Sequence, residues 1–165
     1  MLKKLIPTAF ILCLAACGSR PVIDLSDSQR DQPSYAIAYQ TTVQSFQGIV
    51  GKNYEVDDFT RGVQAWYRGD VKENVANIRD KLYNQLQDSD VYAFRSGIVF
   101  AGELQNNFSR LSQNCWSLLN KPSLTQGIYD AMRDLRRDRL RDENDPYLVA
   151  GSELFLQNCQ SSNKT

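Results

Sequence analysis

The chain carries four cysteines, at positions 13, 17, 115 and 159, and no histidine. The lack of histidine excludes Ser-His-Asp and Cys-His catalysis and every zinc site that uses an imidazole. None of the cysteines is spaced Cys-x-x-Cys, so a dithiol redox motif is absent as well. Three carboxylates, Asp57, Asp58 and Asp70, could be imagined as a metal or acid-base set. Each stands where a helix is expected to begin, and a carboxylate there accepts from free backbone N–H groups, so capping is the better reading. The charged run from Arg133 to Asp145 holds matched acidic and basic residues. Asp134 with Arg137, and Asp138 with Arg141, are spaced to pair along a solvated helix face. No catalytic residue, metal site or cofactor is expected, and the chain does not read as an enzyme. The formal net charge is zero, which argues against a nucleic-acid partner because phosphate binding rests on a basic surface.

The start of the chain is the most specific signal. Lys3 and Lys4 precede a short apolar run from Leu5 to Leu14. That run is too short to span a bilayer, which needs about 20 apolar residues. Leu14-Ala15-Ala16-Cys17 follows and resembles the lipobox of bacterial lipoproteins. The resemblance implies a signal over residues 1–16, cleavage before Cys17, and acylation of its sulfur and new amine. Several acyl chains make a stable membrane anchor. The alternative is an ordinary secretory signal with an incidental cysteine. Gly18 and Ser19 follow, where lipoproteins kept at the inner membrane typically carry Asp, so an outer-membrane, periplasm-facing location is implied. Removal of the signal also removes Cys13. Cys115 and Cys159 remain, and in an oxidising compartment two thiols most simply form one disulfide.

The elements that position these residues read as helices. Residues 17–33 are rich in Ser, Asp, Gln, Gly and Pro, a composition that buries little, and they read as a lipidated flexible tether. Residues 34–160 read as one all-α domain of about six helices, with a tail at 161–165. The expected helices cover 34–50, then a stretch holding Phe59, Val63, Trp66 and Tyr67, started by Asp57 or Asp58 and ended near Gly69. A third follows from Asp70 with a stripe of Val71, Val75, Ile78, Leu82 and Leu86. A fourth spans about 90 to 116, with Gly97 and Gly102 weakening its middle. Pro122 and Pro146 open the fifth and sixth. Phe59-Thr60-Arg61-Gly62-Val63 matches Leu124-Thr125-Gln126-Gly127-Ile128, which suggests two three-helix repeats, 34–87 and 90–160. A helical Gly costs about 1 kcal/mol relative to Ala, so Gly62 and Gly127 in one relative position point to close helix packing. An up-down-up second repeat would place Cys115 and Cys159 at one end of a bundle.

Ser34-Tyr35-Ala36-Ile37-Ala38-Tyr39-Gln40 resembles the opening of the N-terminal domain in periplasmic FKBP-type prolyl isomerases. That family continues with an acidic helix start and Phe-x-x-Gly-apolar-x-Asp-Ala, and here Asp57-Asp58-Phe59-Thr60-Arg61-Gly62-Val63 stands in place. Ala38 departs from the usual Gly, and Ala65-Trp66 departs from Asp-Ala, whereas Asp130-Ala131 restores it after Gly127. The resemblance implies a dimerisation and client-holding module without the catalytic domain. It makes Tyr35, Tyr39, Phe59, Gly62, Trp66, Tyr67 and Gly127 packing or interface residues. Trp66, Tyr67 and the stripe of Val75, Ile78 and Leu82 would then pack between helices, within one chain or between two. The expected partners are a membrane, through the lipid, and a protein or a second copy. The competing reading is a pilotin-like accessory for an outer-membrane secretion system, also a small helical lipoprotein.

Overall fold

The computed structural model describes residues 22–111 and 114–162. The signal, Cys17 and most of the tail at 161–165 lie outside the described residues. Among those described there are six α-helices and no strand: α1 Gln32–Phe46, α2 Val56–Tyr67, α3 Val75–Asn84, α4 Ser89–Leu111, α5 Lys121–Arg137 and α6 Pro146–Ser161. The all-α architecture is as expected.

Local chemistry sets the helix ends. Asp31, Asn120 and Asp145 cap α1, α5 and α6, each accepting a backbone N–H, and each is followed within two residues by proline, which fits a first helical turn whose N–H groups need no helical acceptor. Three boundaries differ from expectation. α2 follows Glu55, so Asp57 and Asp58 lie in its first turn rather than at its cap, where they still meet the positive end of the helix dipole. α3 starts late, because the Asn74 side chain, not that of Asp70, accepts from a helix N–H, that of Ala76. Val71 therefore precedes the helix, and Leu86 lies beyond its end and is exposed. α4 stops at Leu111, short of Cys115 and Trp116.

The helices do not form two consecutive three-helix bundles. α1 packs on α5 and α6, whereas α4 packs on α2 and α3. The first helix of each repeat has crossed to the other repeat. In both units the close pair runs parallel. Tyr35 bonds Asp130 and Tyr39 bonds Asp134 along α1 and α5. Phe59 lies against Gly97, and Trp66 lies against Gly102 and Gln105, along α2 and α4. The matched glycines explain the approach. A methyl group on Gly62 would overlap the Phe94 carbonyl oxygen, one on Gly97 would overlap that of Phe59, and one on Gly127 would overlap that of Tyr35. Gly97 is thus a contact point and not a weakness of α4.

The correspondence extends to the third helix of each unit. Tyr35, Tyr39, Ala131 and Leu148 form one small cluster. Phe94, Ile98, Trp66 and Ile78 form the other. A larger core joins the units, with Phe46, Phe59 and Phe100 in mutual contact (ring centroids 5.2, 5.1 and 6.0 Å apart) and Phe108 against Phe155 at 5.2 Å. Ile78 and Leu82 are buried against α4 of the same chain, and Trp66 packs there too. The stripe expected to face either a neighbouring helix or a second chain thus finds its neighbours within one chain.

Cys115 and Cys159 form a disulfide, with Cα atoms 4.9 Å apart. They meet because the C-terminal ends of α4 and α6 converge, as the Phe108–Phe155 contact shows, and not because α4, α5 and α6 make an up-down-up bundle. The segment read as a tether runs along the domain from Val22 onward. The Leu25 N–H donates to Gln126 Oε1 at 2.9 Å, the Asp31 N–H donates to Ser123 Oγ at 2.8 Å, and Ile23 packs on the core. Composition alone could not reveal those acceptors on α5.

Reduction of the Cys115–Cys159 bond, which closes a stretch of 44 residues, should cost about 3–4 kcal/mol and lower the melting temperature by roughly 10 °C. Amide exchange should rise first in α6. Coincident melting curves with and without reductant would disprove this.

Candidate functional site

Two regions concentrate the residues singled out above. The first is a polar seam between α1 and α5. Tyr35 Oη donates to Asp130 Oδ2 and Tyr39 Oη donates to Asp134 Oδ2, both at 2.9 Å. Asp130, only 4% exposed, also receives Gln126 Nε2 at 3.1 Å and Arg133 at 3.1 Å. The Arg141 N–H donates to Tyr39 Oη at 3.1 Å, and its guanidinium lies 5.4 and 5.6 Å from the Tyr35 and Tyr39 rings. Burial pushes both phenols up, Tyr39 to about 12 and Tyr35 further, helped by the Asp130 carboxylate. Burial likewise raises Asp134. The two phenols and the two carboxylates are mutually engaged here, so the seam fixes α5 to α1.

The second unit lacks this seam, and it lacks both halves together. Phe94 stands where Tyr35 stands, Ile98 where Tyr39 stands, and Ala65 where Asp130 stands. Removal of one partner strands a buried polar group, whereas replacement of both by apolar groups is nearly neutral. Trp66 takes the place of Ala131 and fills the space with a ring, its Nε1 donating to Gln105 at 2.8 Å.

The second region surrounds α3, which packs chiefly on α4, with Trp66 of α2 against it. On one side lies a groove of about 280 Å³ lined by Phe46, Ile49, Leu82, Tyr83, Tyr92 and Phe100, with Thr41, Ser45, Glu103 and Asn107 also on its wall. On the other lies one lined by Val71, Ile78, Val91, Phe94 and Ile98. Ile49 (66%), Tyr83 (72%) and Leu86 (107%) are among the most exposed large apolar side chains described.

The remaining expected residues are dispersed. Phe59 and Gly62 pack on α4, and Gly127 on α1. Tyr67 stacks near Trp116 at 5.5 Å and does not line either α3 groove. Asp58 pairs with Arg61 and Asp70 with Arg68, both at the surface, so the three carboxylates do not converge. The charged run corrects the expected pairing. Asp134 takes Tyr39, Asp138 ends α5 in a left-handed conformation, and Arg141 pairs with Asp145 at 3.7 Å while covering the tyrosines.

A family model described as an uncharacterised lipoprotein matches residues 28–161. The chain belongs to that lipoprotein family. A protein of Haemophilus influenzae, described only as an uncharacterized protein, is 45% identical over 175 aligned residues covering 98% of each chain. No solved structure matches. No helix among the described residues is long and apolar enough to cross a membrane, so attachment of this lipoprotein to a membrane through lipid fits both observations.

Sequence reading missed Gln126 and Arg141. Gln126 sits inside the matched Thr-x-Gly stretch and could have been noticed as a polar residue on a buried stripe. Nothing local marks Arg141, which reaches the seam from a loop. Tyr35→Phe should cost about 1–3 kcal/mol, because Asp130 loses a donor in a buried site. Tyr67→Phe should leave stability unchanged or slightly raised, since the buried Tyr67 Oη has no hydrogen-bond partner among the described residues. Paired urea titrations check this, and equal losses would contradict it. The raised phenols also give a sign for alkaline pH. Their stabilisation is complete below the ordinary tyrosine value of 10 and is lost as pH climbs toward about 12 for Tyr39. A Tyr35→Phe/Tyr39→Phe protein should show a shallower loss over that window.

Proposed function

We propose that this lipoprotein, anchored through acylated Cys17 at the periplasmic face of the outer membrane, holds extended apolar segments of non-native proteins in the grooves beside α3, without catalysis. The observation that carries this reading is the gathering of Ile49, Tyr83 and Tyr92, all exposed, on the wall of one groove beside α3, with Leu86 exposed just past the end of that helix. Apolar side chains scattered singly are ordinary on a surface, but a contiguous set rimmed by polar groups marks an interaction site. The groove lies at the small end of ligand pockets and suits a few side chains of a peptide. Thr41, Ser45 and Asn107 on its wall offer hydrogen bonds to an extended backbone. The resemblance of residues 34–87 to a client-holding module, carried by the sequence alone, supports the same direction.

Palmitate labelling tests the anchor, and Cys17→Ser should abolish it. For the groove, the purified protein at stoichiometric amounts should delay aggregation of a urea-denatured outer-membrane β-barrel protein. Tyr83→Asp and Leu86→Asp should each weaken that effect about tenfold, as expected when a buried apolar contact is removed, without lowering the melting temperature. Unchanged aggregation would sink the client-holding reading. Photocrosslinking from position 83 to one secretin subunit alone would replace it with the pilotin-like reading.

A further inference from the structure

We propose that the end of the domain formed by the α2 C-terminus, the 114–120 turn and the α5 N-terminus is a bilayer-contact face that recognises anionic lipid headgroups. The inference rests on the lipidation of Cys17 proposed above and goes beyond it, since an anchor alone does not orient a domain.

The first support is where the chain leaves the domain. Ile23 lies in a groove with Gln64, Tyr67, Pro122 and Thr125, and the Gln64 side chain donates to the Val22 carbonyl at 3.4 Å. The few residues between Cys17 and Val22 span at most about 18 Å when fully extended. A domain held at Val22 by so short a leash must keep this end within that distance of the lipid.

The second support is the chemistry found there. Leu118 is 44% exposed, beside the half-buried Trp116. Tryptophan with a neighbouring aliphatic suits the boundary between acyl chains and headgroups. Arg68 and Lys121 line the groove that holds Ile23. Lys72 follows the α2 C-terminus, its Nζ donating to the Gly69 carbonyl at 2.7 Å. Lys121 Nζ sits 3.5 Å from the Trp116 ring centre and donates to the Trp116 and Leu119 carbonyls, which fixes the ring's position. The acidic neighbours are Asp70, which pairs with Arg68 at 2.8 Å, Glu73, which pairs with Lys81, and the exposed Asp24 next to Ile23. Basic residues close to an anionic surface are attracted within a Debye length, and the leash keeps them inside that range.

The test uses the mature acylated protein in vesicles of phosphatidylethanolamine and phosphatidylglycerol with brominated chains. Trp66→Phe leaves Trp116 as the sole tryptophan, and its emission should be quenched by the bromines. Arg68→Gln and Lys72→Gln should each lower the ratio of docked to undocked protein about fivefold, and Leu118→Asp should abolish quenching. As a check that needs no substitution, amide exchange over residues 114–122 of the wild-type protein should slow on vesicles relative to detergent. Protein that floats with the vesicles but shows neither quenching nor slowed exchange overturns the contact face and leaves the anchor standing. Protein that does not float overturns both.

Discussion

Two helix backbones can touch only where no side chain separates them, and the whole arrangement hangs on such places. Gly62 and Gly97 let α2 and α4 meet carbonyl to Cα, and Gly127 does the same for α5 on α1. Contact at this range fixes both the parallel direction and the register of each pair. With those set, α3 and α6 have one surface each to cover, and the aromatic core of Phe46, Phe59 and Phe100 closes between the units. A β-carbon at any of the three glycines would force whole helices apart, since the obstruction is backbone and cannot rotate away.

Within this common frame the two units solve one packing problem in different chemistries. One holds its helices with phenol–carboxylate hydrogen bonds over a small alanine, Ala131. The other uses Phe94, Ile98 and a large indole, Trp66. The exchange is coordinated, because a lone Tyr35 or a lone Asp130 in the dry interior would be a liability. The polar version adds direction. Hydrogen bonds require a given oxygen to face a given donor, so the seam also recruits Arg141 and, through Gln126, the chain leading to the anchor.

Helix count, the disulfide and the matched glycines were all legible in the primary structure. Their periodicity and residue types report local constraints: Pro122 and Pro146 mark first turns, and Thr60 and Thr125 donate back to carbonyls four residues earlier in both repeats. What was not legible was partnership. The matched stretches say that α2 and α5 do the same job, but not that each does it with the first helix of the other repeat. The departure at Ala65 looked like a lost motif until Phe94 was found opposite it. Asp70 carried every sign of a cap, yet Asn74 took the role because the chain after Gly69 needs several residues to turn. Arg141 depended on a loop path that no local pattern encodes.

The exchange of first helices has a consequence for when the molecule can exist at all. α1 is made early in the chain, yet its buried surface is completed only by α5 and α6, and α4 must reach back past α3 to α2. Such topology places most stabilising pairings far apart in sequence, and high contact order slows folding because loops must close before contacts reward them. A half-emerged chain can pair α2, α3 and α4, but α1 still has no partner. The other unit cannot close until α5 and α6 have arrived, so the first helix made is the last to be buried.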